Sequence, residues 1–152
     1  MNFRATLALR VVNSVFQRIL RLNGNVPWQV HFTSRVTCPE RIGIHPSVRA
    51  SFGMSPCCYV QAGNGIRIGE GSMFGPGVKI ISADHDREHL DRHLPGPPII
   101  IGRHCWIGAN AVILPGTVLE DSVTVAAGSV VRGCVRTGTT VAGVPARVVR
   151  ER

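Results

Sequence analysis

An apolar residue that returns every six positions is the feature of this sequence that most constrains its fold. Six consecutive members of this series are Ile101, Ile107, Ile113, Leu119, Val125 and Val131. A second series, of small or β-branched residues four positions later, is Cys105, Ala111, Thr117, Val123, Ser129, Val135 and then Val141. A six-residue period matches neither a helix nor a single strand. It predicts a solenoid of short parallel strands with the aliphatic series inside, small residues at the inner corners, and coils about 4.8 Å apart.

The series extends upstream with interruptions. Ile68, Phe74 and Ile80 continue it, and Ile42, Val48, Val60 and Ile66 form an earlier set displaced by two residues. Residues 51–58 have no assignable register. Between Ile81 and Ile99 the series stops, and residues 82–98 are polar and end in prolines. We therefore predict one extruded loop at about 82–98, and a long loop on a rigid scaffold is more often functional than not.

Residues 3–22 have the pattern of an amphipathic helix. Leu7, Val11, Val15 and Ile19 fall on one face, and arginines and polar residues fall opposite. Two interpretations stay open for this helix: it caps the open end of the solenoid or packs on a neighbour, or it docks on an anionic membrane surface. The sequence thus divides into an N-terminal helical segment, 1–25, and a solenoid domain, 26–152.

Charge and cysteine content narrow the class of protein. Basic residues outnumber acidic ones 17 to 9, which favours an anionic partner such as nucleic acid, membrane or a phosphorylated ligand, or serves solubility alone. Nucleic acid is disfavoured because the arginines are scattered and aromatic residues make up 5 % of the chain. Five cysteines without a CxxC pair suit free thiols in the cytoplasm. The sequence contains no run of 18 apolar residues, so it predicts no membrane span. The inner face of the membrane is the alternative location.

Two segments carry a resemblance to a known family. IGRHCWIGANAVILPGTVLEDS and VAAGSVV…VAGVPARVVRE resemble the hexapeptide-repeat acyltransferases, and within them the sugar and polysaccharide O-acetyltransferase branch. The resemblance covers roughly residues 42–152. It implies an all-β fold, a left-handed parallel β-helix, and a homotrimer with active sites between subunits. It also implies acetyl-CoA as the donor, no metal, and a sugar hydroxyl as the acceptor, in a surface polysaccharide or its precursor.

The resemblance assigns the general base to His85, in the sequence ISADHD at the start of the loop. A sugar hydroxyl is a poor nucleophile at neutral pH, and an imidazole has the pKa needed to remove its proton. Either Asp84 or Asp86 could orient the ring. Ser55 lies near the position at which relatives carry a sugar-binding asparagine.

The resemblance also assigns a donor site. Ala109 and Ala127, which are 18 residues apart, match positions that touch the pantetheine arm through backbone groups. Arg147 and Arg150 match basic residues that meet the nucleotide phosphates, and Pro145 would flank the adenine. Arg132 stands where the family carries a Thr-Lys pair, and it would supply the corresponding charge.

Two other functions compete with acetyl transfer. A non-catalytic β-helix used as an assembly module would keep the coils and lose the loop histidine. A metal enzyme related to the gamma-class carbonic anhydrases would use histidines, and His85, His89 and His93 are spaced four apart. In that class the ligands come from neighbouring coils and subunits, so the resemblance disfavours metal.

Overall fold

A computed structural model describes residues 3–151 of the chain. Residues 1, 2 and 152, which the predicted segments 1–25 and 26–152 include, lie outside the described residues. The helical elements are α1 (Phe3–Ser14), which continues as a π-helical turn (Val15–Ile19), two 3₁₀ turns (Pro39–Arg41 and Pro46–Val48), and α2 (Arg49–Met54).

Fifteen short strands make up the rest of the regular secondary structure in the described residues. They are β1 (Arg35–Thr37), β2 (Ile42–Ile44), β3 (Tyr59–Gln61), β4 (Ile66–Ile68), β5 (Met73–Phe74), β6 (Lys79–Ile81), β7 (Ile99–Ile101), β8 (Trp106–Ile107), β9 (Val112–Ile113), β10 (Val118–Leu119), β11 (Thr124–Val125), β12 (Val130–Val131), β13 (Cys134–Val135), β14 (Thr140–Gly143) and β15 (Ala146–Arg150). The first sheet has the order β1-β3-β6-β9-β12, the second β13-β10-β7-β4-β2, and the third β15-β14-β11-β8-β5. Successive strands therefore enter the three sheets in turn, and the chain winds as a three-sided parallel β-helix.

A regular coil of this solenoid has 18 residues, six for each of its three sides. The pairing of strands shows which coils are longer. The regular spacing is seen where Val112 pairs with Val130. Lys79 instead pairs with Val112, because the loop 82–98 intervenes. Arg35 pairs with Tyr59, a 24-residue coil whose six extra residues equal the length of α2. This helix replaces a strand of the third sheet, which is why residues 51–58 have no repeat register.

The interior is the aliphatic column that the six-residue period predicts. All six residues of the series from Ile101 to Val131 are at most 2 % exposed, and the corner residues Cys105, Ala111, Thr117, Val123 and Ser129 are also buried. Val135 and Val141 do not belong to the corner series. They pair with Leu119 and Val125 because the coil after Val131 is two residues short, so both are strand residues.

Coil stacking is tightest at Gly108. A Cβ atom at this position would stand 2.5 Å from the amide nitrogen of Ala127 in the next coil. The backbones meet there with no space for a side chain, while Gly108 donates to the Val125 carbonyl at 2.8 Å. Glycine is therefore required for contact and not for an unusual φ.

The N-terminal helix differs from its prediction in length and in the face that packs. It ends at Ile19, before the predicted Leu22. Asn13 is fully buried and bonds to the Gly53 carbonyl, and Gln17 bonds to the Trp28 carbonyl. The polar face thus lies on the solenoid, and the apolar face is exposed.

The C-terminus forms a hairpin with the last coil. β15 folds back antiparallel on β14, with Arg147 opposite Ala142 and Arg150 opposite Thr140. The turn between the two strands contains Pro145. This hairpin ends the third sheet and orders residues up to Arg150.

Candidate active site

The loop 82–98 leaves the solenoid where the chain passes from the first sheet to the second, a position we call the loop corner. Its two arms are held together near their base. His85 and His93 form an antiparallel bridge, and the Leu94 amide donates to the Asp84 carbonyl at 2.8 Å. Asp86 donates through its amide to Arg92 at 2.9 Å. The loop therefore holds its histidines in a defined backbone frame.

The His85 ring is oriented by a backbone carbonyl. Its Nδ1 atom lies 2.6 Å from the Leu90 oxygen. A carbonyl can only accept, so Nδ1 carries the proton and Nε2 of the neutral ring presents a lone pair. The ring is exposed and packs against the His93 ring with centroids 4.5 Å apart. This arrangement prepares Nε2 to accept a proton from a bound hydroxyl.

Neither aspartate orients this ring, contrary to the prediction. In the described chain, Asp84 pairs with Arg132 at 3.1 Å, and the Asp86 carboxylate accepts from the amides of Glu88 and His89 at 2.7 and 3.2 Å. Asp86 therefore shapes the loop as a turn-capping acceptor. Sequence spacing cannot separate these roles, because Asp84 and Asp86 are both adjacent to His85.

Arg132 lies at the loop corner, and it also lines an open cavity of about 270 Å³ together with Ala146 and Arg147. It follows β12 in the first sheet, and its partner Asp84 is next to His85. The two side chains are 65 % and 52 % exposed, so the ion pair contributes at most about 1 kcal/mol to stability. A pair this weak leaves the guanidinium free to exchange Asp84 for an anionic ligand.

Ala109 and Ala127 lie one above the other where the chain passes from the third sheet to the first, which we call the alanine corner. The Gly128 amide donates to the Ala109 carbonyl at 2.8 Å, which confirms that the two alanines are on stacked coils. In the described chain, the amide N–H groups of Ala109 and Ala127 donate to no protein acceptor. This corner therefore offers two unpaired donors in a row.

The remaining predicted donor residues lie at the C-terminal end of the third sheet. Pro145, Arg147 and Arg150 are all exposed, and Arg147 bonds to its neighbouring carbonyl of Ala146 at 2.9 Å. Since the third sheet leads into the alanine corner, these residues lie on the same side of the prism as Ala109 and Ala127.

The predicted site residues therefore form two groups. One sheet width, about six residues or at most about 20 Å, separates the loop corner from the alanine corner. His85 and Arg132 lie at the loop corner, and Ala109 and Ala127 lie at the alanine corner. A single chain does not bring its base and its alanine donors to one edge.

Several residues that support the loop were not predicted. Gln61 is buried and accepts from the Ala83 amide at 3.1 Å, and Asn64 donates to the Leu94 carbonyl at 2.9 Å. Gln61 follows the inward-facing Val60 in β3, so strand alternation gave no signal for its burial. Ser55, placed near a sugar-binding position, is instead buried and donates to the Phe74 carbonyl at 2.8 Å, so its hydroxyl is committed to the core.

An open cavity of about 450 Å³ lies at the base of the loop. Arg41, Arg67 and Asn64 line it together with Pro95 and Pro98. Two guanidinium groups give this cavity a basic lining suited to an anionic group.

Within residues 3–151, no three His, Cys, Asp or Glu side chains cluster in a way that could hold a metal ion. Burial raises the pKa of the Cys58 and Cys105 thiols and lowers the pKa of His31. In the same part of the chain, no helix is long and apolar enough to cross a bilayer.

Comparison with known proteins agrees with the fold. Residues 98–132 match the family model described as hexapeptide repeat of succinyl-transferase. Nodulation protein L of Rhizobium meliloti (strain 1021) is 42 % identical over 109 residues, which cover 70 % of this chain and 60 % of that protein. A putative lipopolysaccharide biosynthesis O-acetyl transferase of Escherichia coli (strain K12) is 42 % identical over 60 residues, 40 % of this chain and 31 % of that protein.

A solved structure extends the likeness to nearly the whole chain. The hexapeptide-repeat-containing acetyltransferase of Vibrio cholerae O1 biovar eltor, complexed with acetyl coenzyme A, superposes with a TM-score of 0.58 and 25 % identity, covering 97 % of this chain and 83 % of that one. This chain is similar to the hexapeptide-repeat acyltransferases, and its solenoid has the left-handed parallel β-helix fold of that family. It spans between about a third and three fifths of the length of these two curated relatives.

Proposed function

We propose that the protein is an acetyl-CoA-dependent O-acetyltransferase that acts on a sugar hydroxyl, in a surface polysaccharide or its precursor. The observation that carries the proposal is the His85 ring, whose Nδ1 atom is bound by the Leu90 carbonyl while Nε2 stays open. This is the tautomer that a general base needs.

The reaction follows from this tautomer. Nε2 takes the proton of the acceptor hydroxyl as the oxygen attacks the thioester carbonyl, and the Leu90 carbonyl stabilises the resulting imidazolium through Nδ1. The tetrahedral intermediate then expels the thiolate of CoA, and the imidazolium returns its proton to the sulfur. One C–O bond forms and one C–S bond breaks, so the protein ends in its starting state. General-base assistance of this kind contributes about 10²–10⁴-fold.

The donor is assigned to the alanine corner and the C-terminal hairpin. The free amides of Ala109 and Ala127 meet the amide groups of the pantetheine arm, and the small side chains let the arm lie against the backbone. Arg147 and Arg150 meet the phosphates, for which a guanidinium group is suited. Pro145 flanks the adenine.

The separation of the two corners supports a homotrimer. Three prisms packed around a threefold axis would set the loop corner of one subunit against the alanine corner of the next. Arg132, at the loop corner, would then reach a donor held by the neighbouring subunit. The active site is complete only between subunits.

The acceptor class rests on the relatives. One is named as a lipopolysaccharide biosynthesis O-acetyl transferase, and polysaccharide precursors carry many sugar hydroxyls. The basic cavity below the loop suits an acceptor that also carries a phosphate. We place the protein in the cytoplasm, where such precursors are built on lipid carriers at the inner face of the membrane.

Release of free thiol from acetyl-CoA in the presence of a panel of glycan acceptors tests the proposal. His85→Ala should lower kcat at least about 10²-fold and leave the Kd for CoA within twofold of wild type. His89→Ala is the matched control, because His89 is an exposed histidine of the same loop that contacts its frame through the backbone, and it should keep wild-type turnover.

Two results would contradict the assignment. Near-normal turnover of His85→Ala would show that His85 is not the general base. Failure of the wild-type protein to bind CoA would favour the non-catalytic assembly module.

A further inference from the structure

The apolar face of the N-terminal helix is exposed from Leu7 to Ile19. We call the set Leu7, Val11, Val12, Val15 and Ile19 the apolar face. Their exposed fractions are 53 %, 58 %, 37 %, 40 % and 72 %. Leu20 and Leu22 extend it beyond the helix with 57 % and 40 %. An aliphatic strip of this length is rarely left in water without a partner.

Hydrogen bonds fix the helix in this orientation. The segment after the helix belongs to none of the sheets, so its backbone groups need other partners. Gln17 supplies them for the carbonyls of Val26 and Trp28 and the amide of Val30. Asn13 accepts from the Phe32 amide at 3.0 Å. Rotation of the helix to bury its aliphatic side would break these bonds, so exposure of the apolar face is built into the fold.

Arginines surround the apolar face. Arg10 and Arg18 lie beside it and line the same shallow surface depression as its members Val11, Val15 and Ile19. Arg18 and Arg21 also line an open groove of about 710 Å³ between the helix and the segment that follows it. From the neighbouring α2, Arg49 adds a further positive charge on the other side of the helix. No acidic residue occurs before Glu40, so nothing on this segment balances these cations.

We propose that the apolar face and its arginines dock the protein on an anionic lipid surface. The helix would lie in the plane of the interface, with the aliphatic side chains among the acyl chains and the arginines at the headgroup phosphates. Pairing of this face with the same face of a second copy fits less well, because it brings arginines against arginines without any carboxylate. The docking does not depend on acetyl transfer.

Sedimentation of the full-length protein with vesicles tests the proposal. Vesicles of phosphatidylcholine with 30 % phosphatidylglycerol should bind the protein at least tenfold more tightly than pure phosphatidylcholine, and added salt should weaken the binding. Arg18→Gln should weaken it about fivefold, and Ile19→Asp about tenfold or more. Both residues are exposed, so the variants should keep the wild-type Tm.

Val149→Asp is the matched control. Val149 is 62 % exposed in β15, outside the helix, and the same substitution there should leave vesicle binding unchanged. Equal binding of wild type and Ile19→Asp would overturn the proposal. So would absence of vesicle binding together with a lower oligomer mass of Ile19→Asp in light scattering, which would assign the face to a second copy. Since no acetyl transfer is measured, either failure leaves the proposed reaction untouched.

Discussion

Gly108→Ala is the substitution that tests coil stacking most sharply. The added methyl carbon would stand 2.5 Å from the Ala127 nitrogen and 2.9 Å from the Ala126 carbonyl carbon, where ordinary contacts begin at 3.4 Å. Both neighbours are backbone atoms, so no side chain can rotate away. The two coils would have to separate locally by about 0.9 Å.

The expected cost follows from this displacement. Overpacking costs about 1–3 kcal/mol. The hydrogen bonds from Gly108 to Val125 and from Gly128 to Ala109, both 2.8 Å, would lengthen at the same place, at about 1 kcal/mol each if lost. The smaller backbone entropy of unfolded alanine offsets about 0.4–1 kcal/mol. We expect a net loss of about 1–4 kcal/mol, a decrease in Tm of roughly 3–12 °C.

Thermal and urea unfolding, followed by circular dichroism, would measure this loss. Gly53→Ala is the matched control, because its nearest contact would be 3.6 Å away, and its stability should equal that of wild type or exceed it by about 0.4–1 kcal/mol. A Gly108→Ala protein that melts within 1 °C of wild type would refute the stacking of these two coils.

Three further predictions concern other parts of the molecule. Arg147→Ala should raise the KM for acetyl-CoA more than the KM for the dephospho-CoA thioester, and equal effects on both donors would contradict contact with the 3′-phosphate. Burial raises the pKa of Cys105, so less thiolate is present at pH 8 and this thiol should react with a disulfide reagent far more slowly than the exposed Cys134; comparable rates in the folded protein would contradict its burial. Burial lowers the pKa of His31 from its ordinary 6.5, so the unfolded chain takes up a proton at this residue before the folded chain does as the pH falls. The free energy of unfolding should therefore decline from pH 7 to 5. An identical decline in His31→Gln would exclude His31 as the source.

The repeat region was predictable because one physical requirement recurs in every coil. Ile113 and Leu119 must fill the interior, and Ala111 must fit a corner, so burial alone generates the six-residue period. The same reasoning placed the loop, since residues 82–98 lack the period. It failed for Val135 and Val141. The coil that contains them is two residues short, so its inward-facing strand residues fall six and twelve positions after the corner residue Ser129 and look like members of the corner series.

The helix face and the orientation of His85 could not be predicted in this way. Amphipathicity says which side of a helix is apolar, but Asn13 and Gln17 turn the polar side inward to satisfy the backbone of a segment outside the sheets. The partner of His85 is a carbonyl five residues away, and every residue has a carbonyl. Backbone acceptors leave no mark in a sequence, so the nearby carboxylates were the natural but wrong choice.

Mixing two inactive variants tests most directly the claim that the site forms between the loop corner of one subunit and the alanine corner of another. His85→Ala removes the base from the first, and Ala127→Asp places a carboxylate in the path of the donor at the second. When equal amounts are unfolded together and reassembled, random pairing restores both partners in about one site in four, so about a quarter of wild-type thiol release should return. A mixture as inactive as its components would contradict the shared site.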